Sequence, residues 1–491
     1  MHTSELLKIL DPVKVLNGEL AYHYDSLACH TDKVERNSIF AAITVRKDDP
    51  TAKRFYAVSE KKEGEYYFDY HQYINKAIEL GATAIICEKL PVNMNPKIVY
   101  IQVLNVVQSL GILTYKSLFQ KEITVIQVTG SSGKTSTVHC LFNVIKAIES
   151  NTQKVYTYRP TPISLPAAIL NLLLKGQLRD KGILVLEIPT DHSGCIERLT
   201  SFTKPNISIL LNVLDAHLNI FGSRDEIANA KFEIFKHLNK DGIALLNADN
   251  DKISENLNKI NPNVKKLLFG NSILSNIKGG IVLRKPYSTI YHLEYNDLEI
   301  ELETPLLGES GLYIIMAVMS CCISLGFEFE KVVRAFRDYT PMEGRMSWHI
   351  SKYKELVLYD NSTKTNSVNL TQMINENVQL PWNDGHRILA LGTFGSSEHP
   401  NLSEETWVKM DYFFNSIFLV GENTHHFFPK AMHSDIKKFH IMEDVSKHIY
   451  NLHQNEYVKK LYVTVVGYIP NPGQRSTPLI GIVSSLKELF N

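Results

Sequence analysis

The residues best suited to chemistry in this 491-residue chain begin at position 129. The stretch VTGSSGKTST (128–137) sets Thr129, Gly130, Ser131, Ser132, Gly133, Lys134, Thr135 and Ser136 in a row. Two glycines around small hydroxyl residues let successive backbone N–H groups converge on an anion. A helix starting there adds partial positive charge. A lysine after the second glycine can reach the β and γ phosphates of a nucleotide, and the next hydroxyl can ligate Mg²⁺. The usual phosphate loop, G-x-x-x-x-G-K-[ST], needs a glycine where this chain has Val128. A plain Gly-Ser turn is the competing reading. The apolar ITVIQV before the loop and the helical TSTVHCLFNVIKAI after it favour phosphate binding.

Three more residues downstream could serve the same site. Glu187 ends the apolar run ILVLEI, where an acid at a strand's C-terminal end can reach a metal. His217 follows the run ISILLNV, and Lys231 lies in IANAKFEIF. Each has a bland alternative. An acid can simply end a strand in water, a lone histidine is often structural, and a helical lysine can lie along the surface.

These residues need elements to hold them. Apolar strands alternate with helical segments from 123 to 249, which predicts a doubly wound parallel α/β sheet. Before it, SIFAAI (38–43), INKAIELG (74–81) and TAIICE (83–88) predict a smaller α/β unit, with 46–70 as a charged, aromatic loop or insertion. Residues 276–303 read as β-rich, and YIIMAVMSCCISLGF (313–327) as a helix. Strands at 355–360, 387–392, 416–421 and 460–467 alternate with helices in a second Rossmann-like α/β unit. The expected division is 1–118, 119–343 and 344–491, with the central phosphate-loop sheet flanked by the other two. Lys and Arg balance Asp and Glu, 52 against 52, so no basic excess points to nucleic acid. The six cysteines form no C-x-x-C pair and read as reduced core residues. No run of about 18 apolar residues predicts a membrane span, and the N-terminal residues do not read as a signal peptide. A cytoplasmic protein, monomeric by default, is the expectation.

Taken together, the ordered motifs resemble those of the Mur ligase family, closest to its MurE/MurF type. The loop resembles the family's TG-x-x-GKT[ST]. The N-x-x-x-x-H-L element falls on Asn212, His217 and Leu218, the G-[ST] and A-K elements on Gly222, Ser223, Ala230 and Lys231, and L-N-x-D on Leu246, Asn247 and Asp249. The resemblance implies an ATP-dependent amide ligase. Such an enzyme phosphorylates the carboxylate of a small-molecule or UDP-sugar-peptide substrate, then joins it to an amino acid or dipeptide. It implies that Lys134 and the loop hold ATP, and that Thr135, Glu187 and His217 meet Mg²⁺. It also implies that Lys231 carries a carbamate. Arg345 and the DNSTKTN stretch, with Asp360 and Lys364, would face the cleft from the last domain. Ser26, Thr161, Asp191 and His192 stand where the family contacts its sugar-peptide substrate.

The chain also departs from the family pattern. Leu27 replaces an arginine of the first-domain motif. The family's asparagines on the adenine side fall on Gly308, Ser310, Gly311 and Ile314, and no D-N-P-R signature names the incoming amine. These departures raise two other readings, an amide ligase of a specialised pathway and a nucleotide-binding subunit without turnover.

Overall fold

The computed structural model describes residues 1–47, 66–155, 160–190, 192–216, 218–353, 355–363, 367–392, 403–421, 433–454, 458–469 and 477–490. Three sheets organise the chain. In the first, strands run in the order 14–16, 99–102, 82–87, 38–41 and 26–28, all parallel except the first. Both faces are covered. Helix Val106–Gln120 packs Val106, Leu110 and Leu113 on Ile39, Ile86 and Ile101, while Ile74 and Ala77 pack on Phe40, Ile85 and Tyr100. This two-sided burial explains why the strands read as continuous apolar runs. The expected loop at 46–70 is corrected at its edges, where Thr44–Arg46 pairs antiparallel with Tyr66–Asp69.

The central sheet has nine strands, in the order 298–304, 289–295, 277–284, 265–269, 243–247, 207–210, 124–129, 183–187 and 152–155. Strand Thr124–Thr129 lies between Ile207–Leu210 and Ile183–Glu187, parallel to both. All three therefore release their C-terminal ends on one edge, and the crevice beyond those ends is where such sheets bind ligands. Helices Lys134–Ile148 and Gly308–Ser324 bury one face of the sheet; Ser164–Leu174 and Arg224–Phe232 lie over the other. Helix Gly308–Ser324 begins five residues before the predicted start at 313. Its first turn, GESGL, lacks the apolar run by which the helix was recognised. Strands 277–284, 289–295 and 298–304 form an antiparallel extension of this sheet.

The last sheet runs 347–350, 356–361, 461–466, 386–391, 416–420 and 435–439, parallel apart from its first strand. It docks onto the extension. Trp348 Nε1 donates to Pro305 O at 3.0 Å, and Trp382 Nε1 donates to Pro286 O at 3.0 Å. Leu307, from the central unit, is buried inside the apolar cluster of the last one. At the other end, Asn171 binds both backbone groups of Leu27 at 2.9 Å, so a side-chain amide closes the edge of the first sheet.

Trp382 is fully buried and stacks on Tyr462 with ring centroids 4.9 Å apart. Trp382→Ala should destabilise the last domain by about 3–5 kcal/mol. Hydrogen exchange at 356–361 and 461–466 should show the loss, with little change in strand 124–129.

Candidate active site

The loop is held by its neighbour. Ser131 N donates to Asn212 O at 3.1 Å. Ser132 N donates to Asn212 Oδ1 at 2.9 Å, and Asn212 Nδ2 donates to Ser132 O at 3.2 Å. Ser131 Oγ bridges to Leu214, accepting from its N–H at 2.9 Å and donating to its carbonyl at 3.2 Å. Gly133 has φ +81°, a left-handed conformation that suits glycine and turns the chain into helix Lys134–Ile148. The first N–H groups of an α-helix have no acceptor within it. The N–H groups of Ser131 and Ser132, expected to face an anion, are instead used on Asn212. Thr129 is fully buried in the sheet, its carbonyl accepting from Leu211 N, and it supports the loop from below. Val128 is likewise a fully buried strand residue. The loop is shorter because the strand runs on through the position where the longer motif has glycine.

Lys134 turns back over the loop and donates to Gly130 O at 2.7 Å. Thr135 Oγ1 donates to Glu187 Oε2 at 2.9 Å, which joins two of the predicted residues. Lys231 is 5 % exposed on helix Arg224–Phe232. Burial holds its amine well below the ordinary lysine value, and the charge of Lys134 adds to the effect. The electrostatics thus bring Lys134 and Lys231 into one neighbourhood. Ser223 caps the helix that carries Lys231, accepting from Glu226 N at 3.2 Å. Arg224 fixes the preceding loop by donating to Val213 O at 2.8 Å. His217, Asp191 and Lys364 lie outside the described residues. Among the described residues no three His, Cys, Asp or Glu side chains gather as a metal site would need.

A cavity of about 340 Å³ opens beside the loop. Its lining includes Ser132, Gly133 and Ser136 from the loop, Asn247 and Asn250 from the next strand end, Ser310 and Tyr313 from helix Gly308–Ser324, and Arg345, Asn361 and Glu376 from the last domain. Arg345 is therefore placed at the cavity. Asp360 is not: it is 2 % exposed, and its carboxylate accepts from Gly344 N at 2.9 Å and Ser362 N at 3.1 Å. It shapes the turn that presents Arg345, while its neighbour Asn361 faces the cavity. Ser26 is 2 % exposed in a strand of the first sheet. Thr161 accepts from Ser164 N at 3.0 Å and starts the helix whose Asn171 holds that strand. His192 lies beyond the end of strand Ile183–Glu187, its N–H donating to Thr190 Oγ1 at 3.3 Å.

Residues 128–322 match the family described as the Mur ligase middle domain. Over those residues the chain is similar to that domain. Among relatives of known name, the Buchnera aphidicola (subsp. Baizongia pistaciae) UDP-N-acetylmuramoyl-tripeptide--D-alanyl-D-alanine ligase is 29% identical over 337 residues, which is 66% of this chain and 68% of that protein. The Bacteroides fragilis UDP-N-acetylmuramoyl-L-alanyl-D-glutamate--2,6-diaminopimelate ligase is 26% identical over 357 residues, 70% of this chain and 68% of that protein. A structure of MurF from Acinetobacter baumannii superposes with a TM-score of 0.76 at 19% identity, covering 99% of this chain and 98% of that one. The MurF ligase from Thermotoga maritima in complex with ADP gives 0.74 at 21% identity, covering 95% and 97%. The three-domain α/β fold is the Mur ligase architecture.

Asn212, Asn247, Tyr313 and Glu376 line the cavity and were not assigned a role by the motifs. Asn212 and Asn247 stood inside recognised motifs, so a search for strand-end amides able to bind backbone could have found them. Nothing in the pattern of the helix Ser367–Asn377 marks Glu376. Asn212→Ala should loosen the Mur-type loop by about 1–3 kcal/mol, the cost of leaving buried loop groups unpaired. Calorimetric titration with Mg·ADP should show weaker binding, with the fold intact by circular dichroism.

Proposed function

We propose that this protein is an ATP-dependent amide ligase of peptidoglycan precursor assembly. Its acceptor is the carboxylate of a UDP-N-acetylmuramoyl peptide, and its second substrate is an amino acid or dipeptide. The observation that carries the reading is the joined set of Lys134 on the loop, Thr135 on Glu187 at 2.9 Å, and buried Lys231, beside a cavity walled by two domains. Relatives named for D-alanyl-D-alanine reach 29% identity, against 26% for those named for diaminopimelate. D-alanyl-D-alanine is therefore the first amine to test.

The reaction must bring several negative charges together. An acceptor carboxylate oxygen bonds to the γ-phosphorus, the bond to the β–γ bridging oxygen breaks, and ADP leaves. The amine nitrogen then bonds to the acyl carbon, the bond to phosphate breaks, and the amine gives up a proton. Lys134 and the helix N-terminus offset the phosphate charge. Thr135 and Glu187 offer adjacent hard oxygen donors, which suit Mg²⁺. When bound there, the ion would neutralise charge between nucleotide and acceptor. Arg345, presented from the last domain, adds a cation on the cavity side. Covering the cleft with that domain keeps water from an acyl phosphate.

Lys231 fits a carbamate for a physical reason. Carbamate formation consumes the neutral amine and CO₂ and releases a proton. A lysine with its pKa depressed by burial and by Lys134 has more of that neutral form at neutral pH. The product is an anion beside Lys134, which relieves the repulsion of two neighbouring cations. Isotopically labelled bicarbonate should give a carbamate carbon resonance in the protein that Lys231→Ala abolishes.

Lys134→Ala should lower phosphate release from ATP by about 100-fold or more, the scale of losing one charge-stabilising donor. The assay contains Mg²⁺, UDP-N-acetylmuramoyl tripeptide and D-alanyl-D-alanine. Full retention of ligation by that variant would sink the reading.

A further inference from the structure

Glu376 sits in the last domain yet caps a helix of the central one. Its Oε2 accepts from Glu309 N at 3.1 Å and its Oε1 from Ser310 N at 3.0 Å. These are the opening N–H groups of helix Gly308–Ser324, which lack intrahelical acceptors. The carboxylate is 8 % exposed and lines the cavity beside the phosphate loop. Gly308 carries φ +55°, and a Cβ built there would overlap the Glu376 carboxylate. Backbone and side chain are therefore fitted to each other across the domain boundary. Independent contacts mark the same boundary: Leu307 buried in the last domain's core, and the Trp348 and Trp382 indoles on Pro305 and Pro286.

We propose that Glu376 is a positioning residue of the nucleotide cavity: it latches the last domain onto the N-terminus of helix Gly308–Ser324 and so builds the cavity's far wall. The latch stands on the geometry alone; its effect on nucleotide rests on the ATP-dependent reading above. Glu309 on the capped helix, Arg284 and Tyr291 on the antiparallel extension, and Tyr359 on its own sheet are the charged and titratable groups around it. Burial pushes the Glu376 carboxyl up to about 7. The Ser310 N–H and Arg284 oppose that rise, and Glu309 adds to it. Undocked in water, the same carboxyl titrates near ~4.3. The docked form therefore binds the proton more tightly. Docking is strongest below the undocked value and weakens as pH rises through about 7.

The test uses the full chain, Glu376→Gln and Glu376→Ala. Without nucleotide, tryptophan emission and the scattering radius are followed across this pH range. The wild type should shift to redder emission and a larger radius as pH rises through about 7, and Glu376→Gln should lose that pH response. With Mg·ADP, Glu376→Ala should bind about tenfold more weakly, while Glu376→Gln, which keeps an acceptor on the helix, recovers most of the affinity. The proposal is overturned if both variants match the wild type in pH response and ADP affinity. A pH response lost in the variants, with no ADP binding by the wild type, would uphold the latch and remove the nucleotide reading.

Discussion

The site depends on one side-chain amide binding one loop. The phosphate loop leaves the sheet at Thr129 and must expose helix N–H groups without collapsing onto its own carbonyls. Asn212, at the end of the adjacent strand, takes the N–H and the carbonyl of Ser132 and offers its own carbonyl to Ser131. A strand pair in register thereby extends past its last ladder bond, and the loop inherits the rigidity of the sheet. Lys134, Thr135 and the contact to Glu187 all follow from where that clamp sets the helix start.

The second constraint is electrostatic. Lys231 lies buried in the neighbourhood of another cation, Lys134. An ammonium in such a place is costly. The helix holding Lys231 is nonetheless tightly fixed, by Ser223 at its start and by Arg224 on Val213 and Asp251. A rigid scaffold around a disfavoured charge is the pattern expected of a functional group rather than of packing. It also explains why the sequence alone could not decide about Lys231. The apolar Ile227, Ile234 and Phe235 around it suggest a helix face but not on which side the lysine lies.

Much of the architecture was legible because parallel strands buried on both faces are written as unbroken apolar runs, as ILVLEI and ISILLNV are. The loop was legible because its glycines and lysine have few other uses together. Less legible were residues whose role depends on a neighbour distant in sequence. Asp360 sits in a motif, yet its carboxylate turns inward to Gly344 and Ser362, and the cavity-facing position passes to Asn361. Thr129 belongs to the loop motif but is consumed by the sheet. The start of helix Gly308–Ser324 was missed because its first turn, GESGL, has no apolar run, and two of its N–H groups are capped by Glu376 of another domain.

That last case bears on the apparent loss of the family's asparagines. Gly308 and Gly311 look like deletions of function when read along the chain. In the fold, a Cβ at Gly311 would come within 2.5 Å of Tyr291 Oη, and one at Gly308 would overlap Glu376. Tyr291 donates to the carbonyls of Leu306 and Gly308, and Glu376 accepts from the N–H groups of Glu309 and Ser310. The backbone groups at this helix start are thus bound by two partners, one on the antiparallel extension and one on the last domain. Because the second partner comes from another domain, this end of the cavity is built by the contact between the two.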